Sequence, residues 1–470
     1  MTELVWFRND LRLADNPALT AACAGNAPVR ACFILTPGQW QAHDWSPARV
    51  RFVVDHANDL ARQLARLGIP MHFLWADRFD DALDRLIEHA RQHRVRRIHF
   101  NEEYGINERR RDKALKQRAE RDGVAVNKYR DQSVAPVGKI LTAQGTPYTV
   151  FTPFSRRWRQ WLDHQPPQVL PTPRPRAEAL EPKPIAAVPD GFDPAPPALV
   201  ATGEAAAHAR LAQFLDAAAG HYKTRRNVPA LDGTSGLSPY LASGVLSGRQ
   251  CLVAAQAART AGNREGVDSW INEIAWRDFY IHILYHYPQV SMHRAFKPET
   301  EALDWNGTGP AFEAWKAGQT GVPIVDAAMR QLAATGWMHN RLRMITAMFL
   351  SKNLFIDWRL GEAWFMSRLV DGFLASNNGG WQWSASTGTD AAPYFRIFNP
   401  VSQSARFDPD GEFIRRWVPE LAALDSKRIH QPWQGGPTVK GYPGPIVDLK
   451  ASRQAAIARF RALKDGAEGG

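Results

Sequence analysis

Cysteine is scarce. Cys23, Cys32 and Cys251 are the only three in 470 residues, and they are scattered. Neither a disulfide framework nor a cysteine–metal spacing can be built from them, so a reducing cytosol fits and no metal site is expected. Long apolar runs are also missing. Nowhere do 18 apolar residues follow one another, so no membrane span is expected. Met1-Thr2-Glu3 runs straight into Leu4-Val5-Trp6-Phe7, with no basic stretch and apolar core of a secretory leader. No Gly-x-Gly-x-x-Gly follows that first strand-like run, which argues against an ordinary dinucleotide site there. Internal repeats are absent, and one proline-rich tract is the only biased segment.

What is present points to a large globular chain. At roughly 150 residues per domain, the length suggests two or three domains. A 44% hydrophobic content can fill their cores. The net charge of +11 is compatible with a phosphate-bearing partner. Tryptophan is plentiful at 17, with 11 after residue 200. Indoles there can be core filler, stacking platforms or redox stations.

Residues 1–135 alternate strand and helix patterns. Strands are expected at 4–7, 29–35, 71–75, 97–100 and 124–129, with helices at 46–67, 80–93 and 107–122. Short apolar strands alternating with helices imply an α/β domain with a doubly wound parallel sheet, its faces covered by right-handed crossovers. The charged run Glu108-Arg109-Arg110-Arg111-Asp112-Lys113 reads as a solvated helix face. Residues 166–197 hold 11 of the 33 prolines, so 136–200 reads as an extended connector. From 201 to 470 strand signals nearly vanish. Helical periods occur at 204–218, 238–261, 267–287, 309–318, 322–335, 341–354 and 358–369, with a short helix near 450–463, so an all-helical second domain is expected.

Several segments carry chemistry-bearing residues. Arg226-Asn227-Val228-Pro229 precedes Gly233-Thr234-Ser235-Gly236-Leu237-Ser238-Pro239. Hydroxyls ahead of a helix start can simply cap it, or can hold an anion. On 267–287, Trp270, Glu273 and Arg277 fall at i, i+3 and i+7 and share a face, with Trp276 beside them. Glu273 could pair with Arg277 at i+4, or burial could raise its pKa and make it a proton or hydrogen-bond donor. His339, in Gly336-Trp337-Met338-His339-Asn340-Arg341, reads alone as a core or helix-cap residue. The stretch 370–400 packs Trp381, Trp383, Asn377, Asn378, Gly379 and Gly380 into what reads as an irregular segment, because Asn-Asn-Gly-Gly is an ordinary turn signal.

Taken together these segments resemble the DNA photolyase/cryptochrome family, closest to bacterial class I cyclobutane pyrimidine dimer photolyases. The likeness runs from Trp6-Phe7-Arg8-Asn9-Asp10-Leu11-Arg12 to Tyr442-Pro443-Gly444-Pro445-Ile446-Val447-Asp448. It implies an N-terminal antenna-binding domain and a C-terminal FAD-binding catalytic domain. Thr234, Ser235, Gly236, Leu237 and Ser238 match the segment holding the FAD pyrophosphate, and Tyr222 a flavin-contacting tyrosine. Trp270, Arg277, Arg343, Asp371, Gly372 and Phe373 belong to the same expected FAD site, with Arg343 able to pair with Asp371. Asn377 matches the asparagine facing flavin N5, which favours the reduced, anionic flavin. The family usually shows Asp-Gly-Asp where this chain has Asp371-Gly372-Phe373, and that departure puts the flavin's redox tuning in question. Trp305, Trp358 and Trp381 match the electron-transfer chain that photoreduces the flavin.

The resemblance also implies the substrate. Glu273 and Asn340 match residues contacting the damaged pyrimidines, and Asn340 stands where enzymes for the (6-4) photoproduct carry a histidine. Trp276 and Trp383 match the two walls of the lesion pocket. Arg226, Arg341, Met344, Arg396, Gln403 and Arg406 lie where the family grips lesion and backbone. His43, Asn107 and Glu108 match an antenna site for methenyltetrahydrofolate, although Met292 replaces a lysine often present in folate-type enzymes. The expectation is a monomer that flips a dimer out of damaged DNA and splits it with an electron from excited reduced FAD. The rivals are a cryptochrome-type light sensor without repair activity and a non-enzymatic nucleic-acid binder, which would be colourless.

Overall fold

The computed structural model describes residues 2–182, 186–437 and 439–468. By compactness the chain forms two units that do not follow sequence order. Unit 1 comprises residues 1–220, 235–288 and 370–375; unit 2 comprises 221–234, 289–369 and 376–470.

Unit 1 is built on a five-stranded parallel sheet. Its strands are β1 (Thr2–Phe7), β2 (Val29–Leu35), β3 (Met71–Trp75), β4 (Val95–Asn101) and β5 (Ala125–Tyr129), in the order β3-β2-β1-β4-β5. Central strands of such a sheet are covered on both faces, so they read as unbroken apolar runs. Accordingly β1 is buried from Glu3 to Phe7, whereas the edge strands β3 and β5 are mostly half-exposed. The crossover helices Pro47–Arg66, Phe79–Gln92 and Ile106–Arg121 match the expected ones within two residues. Ser46 starts the first by accepting from the Arg49 amide at 3.0 Å, with Pro47 in the first turn.

The expected boundary near residue 200 is one of composition, and the contacts run across it. Helix Arg264–His286 packs with Phe151–His164 in unit 1. Its Asp278 accepts from the amides of Val134 (3.1 Å) and Ala135 (3.0 Å) and from Trp158 Nε1 (2.9 Å). Burial raises the Asp278 carboxyl to about 6 even so. The proline-rich tract has no helix or strand among its described residues, and it is pinned to unit 1. Asn58 exchanges two hydrogen bonds with Ala186, and Arg176 donates its amide to Leu67 O.

Two expectations are corrected here. The single helix over 238–261 is two, Ser238–Ala242 and Gly248–Ala258. Gly244 between them has φ +64°, and a Cβ there would collide with the backbone of Asn9 and Asp10. The charged run 108–113 is no solvated face: Arg111 is buried and Glu108 and Arg109 are half-buried.

Unit 2 is helical. Its core gathers Trp315, Trp358, Phe349, Phe365, Trp381 and Phe413. A π-helical turn, Phe349–Asn353, follows Asn340–Met348. The irregular segment expected at 370–400 is helical over Leu374–Ala385. Tertiary contacts override the turn signal. Asn378 donates to Glu362 Oε1 (2.9 Å), Gln382 donates to Asn378 Oδ1 (3.0 Å), and Gln382 accepts from the Phe296 amide (2.8 Å). Trp381 packs against Phe365, and a Cβ at Gly361 would strike its indole. Propensity is a weak prior where burial and polar pairing agree on a helix.

Candidate functional site

The expected FAD residues divide between the units. Ser235, Gly236, Leu237, Ser238, Trp270, Arg277, Asp371, Gly372 and Phe373 lie in unit 1; Tyr222, Thr234, Arg343 and Asn377 lie in unit 2. In unit 1, Arg210 Nε holds the Ser235 carbonyl at 2.8 Å, and Gly236 turns with φ +63°. The following helix is capped at Leu237 without a side-chain bond, so Leu237 does not serve as a polar cap. Trp270 is buried against Phe214, ring centroids 5.1 Å apart. Arg277 donates to the carbonyls of Gln132 and, at 3.1 Å, Leu241. Its guanidinium lies 4.9 Å from the centre of the Phe373 ring. The residue that departs from the family pattern therefore meets this arginine by a cation–π contact, where a carboxylate would form an ion pair. Burial lowers the Arg277 pKa from its ordinary value.

In unit 2, Asn377 donates to Glu362 O at 3.1 Å. Gly380 is half-buried, yet a Cβ added there would meet nothing within 4 Å. Its helix thus borders open space at a bare backbone position, a surface that suits a flat ring. Within unit 2 this feature fits the ring of a flavin, and within unit 1 the hydroxyls of Ser235 and Ser238 fit a phosphate-bearing group.

The expected lesion contacts also divide. Glu273 and Trp276 are half-buried on helix Arg264–His286. Phe151 stacks on Trp276 with centroids 3.6 Å apart and planes 7° from parallel, which fixes the indole plane. In unit 2, Trp383 is half-buried with its edge toward Phe398. His339 caps helix Asn340–Met348, its Nδ1 accepting from the Arg341 amide at 3.1 Å. Burial and the charges of Arg343 and Arg341 push His339 down to about 4. Asn340 is exposed and Met344 half-exposed.

The structure brings three sequence-distant arginines together. Arg341 donates to Asn227 Oδ1 (2.9 Å from Nη2), and its guanidinium lies 4.5 Å from the Phe407 ring. Arg406 lies 5.1 Å from the same ring. Burial, Arg226 and Arg406 together lower the Arg341 pKa. Gln403 shares helix Pro400–Phe407 with Arg406, and Arg396 is exposed nearby in sequence.

Trp358 and Trp381 are buried in one core, and half-buried Trp305 packs against it. Trp305 lies 4.8 Å from Phe355. The order from partly exposed to buried suits charge exit to solvent.

In unit 1, His43 Nε2 lies 3.0 Å from both Gln39 Nε2 and Asn107 Nδ2. His43 Nδ1 lies 3.6 Å from Glu108 Oε1. Burial and Arg49 push His43 down to about 4; burial and Glu103 raise Glu108 to about 7. The pair is therefore a neutral imidazole beside a carboxyl that titrates near neutrality. Both line a cavity of about 50 Å³, room for a few waters. Stacked Trp40 and Trp45, 5.1 Å apart, flank it, with the Arg49 guanidinium 3.6 Å from Trp45.

Sequence reasoning missed the supporting residues Asn227, Arg210 and Phe151. Asn227 adjoins Arg226 and could have been weighed as its companion. Phe151 and Arg210 carry no local signal.

Residues 3–175 match the family described as DNA photolyase, and 270–462 match the FAD binding domain of DNA photolyase. A deoxyribodipyrimidine photo-lyase of Salmonella typhimurium is 46% identical, over 99% of this chain and 100% of its own. The crystal structure of a class III photolyase from Agrobacterium tumefaciens superposes with TM-score 0.86 at 34% identity, over 99% of this chain and 98% of that one. A Synechocystis cryptochrome superposes with TM-score 0.89 at 29% identity, over 97% and 98%.

Proposed function

Because the chain belongs to the DNA photolyase family, we propose that it is a light-dependent repair enzyme that uses FAD to split cyclobutane pyrimidine dimers in DNA. The geometric observation that carries this reading is the gathering of Arg226, Arg341 and Arg406 in one unit. Like charges held together cost energy in the free protein, and a phosphate backbone relieves it.

The residues divide the work. Arginines 226, 341, 396 and 406, with Gln403, hold phosphates without reading sequence. A damaged pair is weakly stacked, so flipping it out costs less than flipping an intact one. Trp276, backed by Phe151, and Trp383 offer indole faces to the extruded pyrimidines, each stack contributing roughly 1–3 kcal/mol. Glu273 and Asn340 hydrogen-bond the bases. The chemistry that bound FAD supplies is light-driven donation of one electron to the cyclobutane ring and its recovery after the ring opens. Residues 234–238 hold the pyrophosphate end, Tyr222 contacts the flavin, and Asn377 faces the ring and favours its reduced, anionic form. Trp305, Trp358 and Trp381 pass charge between core and surface. His43, Asn107 and Glu108 hold a methenyltetrahydrofolate antenna from the exposed Asn107 side, since the adjoining cavity is too small for a pterin. The protein acts as a monomer.

The test is repair of a dimer-containing oligothymidine by the purified, reduced protein under near-UV light, with a dark control. Light-dependent recovery of thymine absorbance is expected. A yellow protein without recovery would make the chain a sensor of the cryptochrome type. Glu273→Ala should retain FAD and DNA binding while repair per absorbed photon falls; an unchanged quantum yield would remove Glu273 from the chemistry.

A further inference from the structure

Three histidines outside this reading converge in unit 1. His72 lies on β3. His89 sits in the last turn of helix Phe79–Gln92, and His93 is the residue that ends it. The i, i+4 spacing puts His89 and His93 on one helix face. Ring centroids are 4.4 Å apart for His89–His93, 4.8 Å for His72–His89 and 5.1 Å for His72–His93. One nitrogen from each lies within 4.8 Å of the others. His89 is buried, and the other two are half-buried. The neutral imidazole is the ligating form of histidine. A cation is also favoured at a helix C-terminus, where the backbone dipole is negative.

A charged side chain also meets the trio. Arg30, on β2, has Nη1 3.0 Å from His72 Nε2. A guanidinium only donates, so that nitrogen carries the lone pair. A neutral imidazole has one such lone pair, and Arg30 therefore competes with any metal for His72.

We propose that His72, His89 and His93 form a site for a divalent transition-metal ion of the zinc, copper or nickel kind, with Arg30 occupying His72 until the ion arrives. Imidazole nitrogens suit these ions. Zinc–nitrogen bonds of about 2.0–2.1 Å in a tetrahedron need nitrogens roughly 3.3 Å apart, so the rings must close by up to about 1.5 Å. The half-buried His72 and His93 have room to turn. Three ligands leave a fourth position for water, and the bound ion ties the end of the crossover helix to β3.

The experiment is calorimetric titration of Zn²⁺ into the full-length, flavin-loaded protein carrying no histidine tag. One equivalent should bind with micromolar or tighter affinity. His72→Gln and His93→Gln should each weaken it at least about tenfold, because each removes one of the three ligands. Arg30→Gln should tighten it roughly tenfold, the effect of removing one positive charge near a divalent ion in a wet environment. The number of coupled nitrogens in the Cu²⁺ electron paramagnetic resonance spectrum should fall from three to two in each histidine variant. Absence of stoichiometric binding, or equal binding by parent and histidine variants, overturns the site. Unchanged affinity in Arg30→Gln overturns the competition. Light-driven repair should be the same in all four proteins.

Discussion

Two groups of arginines, one in each unit, differ in what surrounds them. In unit 1, four arginines are matched to carboxylates. Arg12 Nη2 and Arg249 Nη2 both reach Asp131 Oδ1, at 2.5 and 2.6 Å, and Arg249 also reaches Asp15 Oδ2 at 2.9 Å. Arg8 meets Asp112 and Arg111 meets Glu103, each at 2.8 Å. In unit 2, the charges felt by Arg341 are those of Arg226 and Arg406, of its own sign. The first set neutralises itself and holds loops to the sheet. In the second, Arg341 is held by the amide of Asn227 and the ring of Phe407.

Substitutions can break that contrast. The largest effect is expected from Asp131→Ala. Burial alone would raise the Asp131 carboxyl, but Arg12 and Arg249 outweigh it and hold it below the usual range. Removing it strands the Arg12 guanidinium and leaves Arg249 with Asp15 alone, so unfolding should become easier by about 3–5 kcal/mol. Chemical denaturation checks this, and a loss under about 1 kcal/mol would mean that the network is solvated. Arg341→Ala should do the reverse. Stability should change little, while affinity for dimer-containing DNA falls and the slope of log affinity against log salt decreases by about one phosphate contact. An unchanged slope would take Arg341 off the DNA. The smallest effect concerns pH. His339 is held at about 4, below its unfolded value of 6.5. A depressed histidine contributes stability that is present above 6.5 and lost as pH falls toward 4. His339→Asn, which keeps a cap acceptor, should flatten stability across that interval. Identical pH profiles for the two proteins would show that His339 does not titrate with unfolding.

Legibility followed the range of the forces. The strands 29–35 and 71–75 were readable to the residue because apolar runs in a parallel sheet are local signals. The helix expected at 267–287 was readable for the same reason, and it runs over Arg264–His286. Helix Leu374–Ala385 was not, since Asn378, Gln382 and Trp381 are satisfied by residues far away in sequence. Glu108 and Arg111 looked solvated because their burial is imposed by neighbouring elements. Histidine at i, i+4 on helix Phe79–Gln92 was visible as spacing, but only the fold brings His72 beside it.

The amino-acid order alone determined the sheet and its crossovers, the helical second half, and the long motifs that carry the family chemistry. Those depend on periodicity and local turn chemistry, which act within a few residues. Tertiary structure decided which arginines meet carboxylates and which gather with other arginines. It also decided that Phe373 meets Arg277, that Phe151 backs Trp276, and that Asn-Asn-Gly-Gly is helix rather than turn. Each of those depends on a partner distant in the chain, and electrostatics and burial are set by neighbours in space.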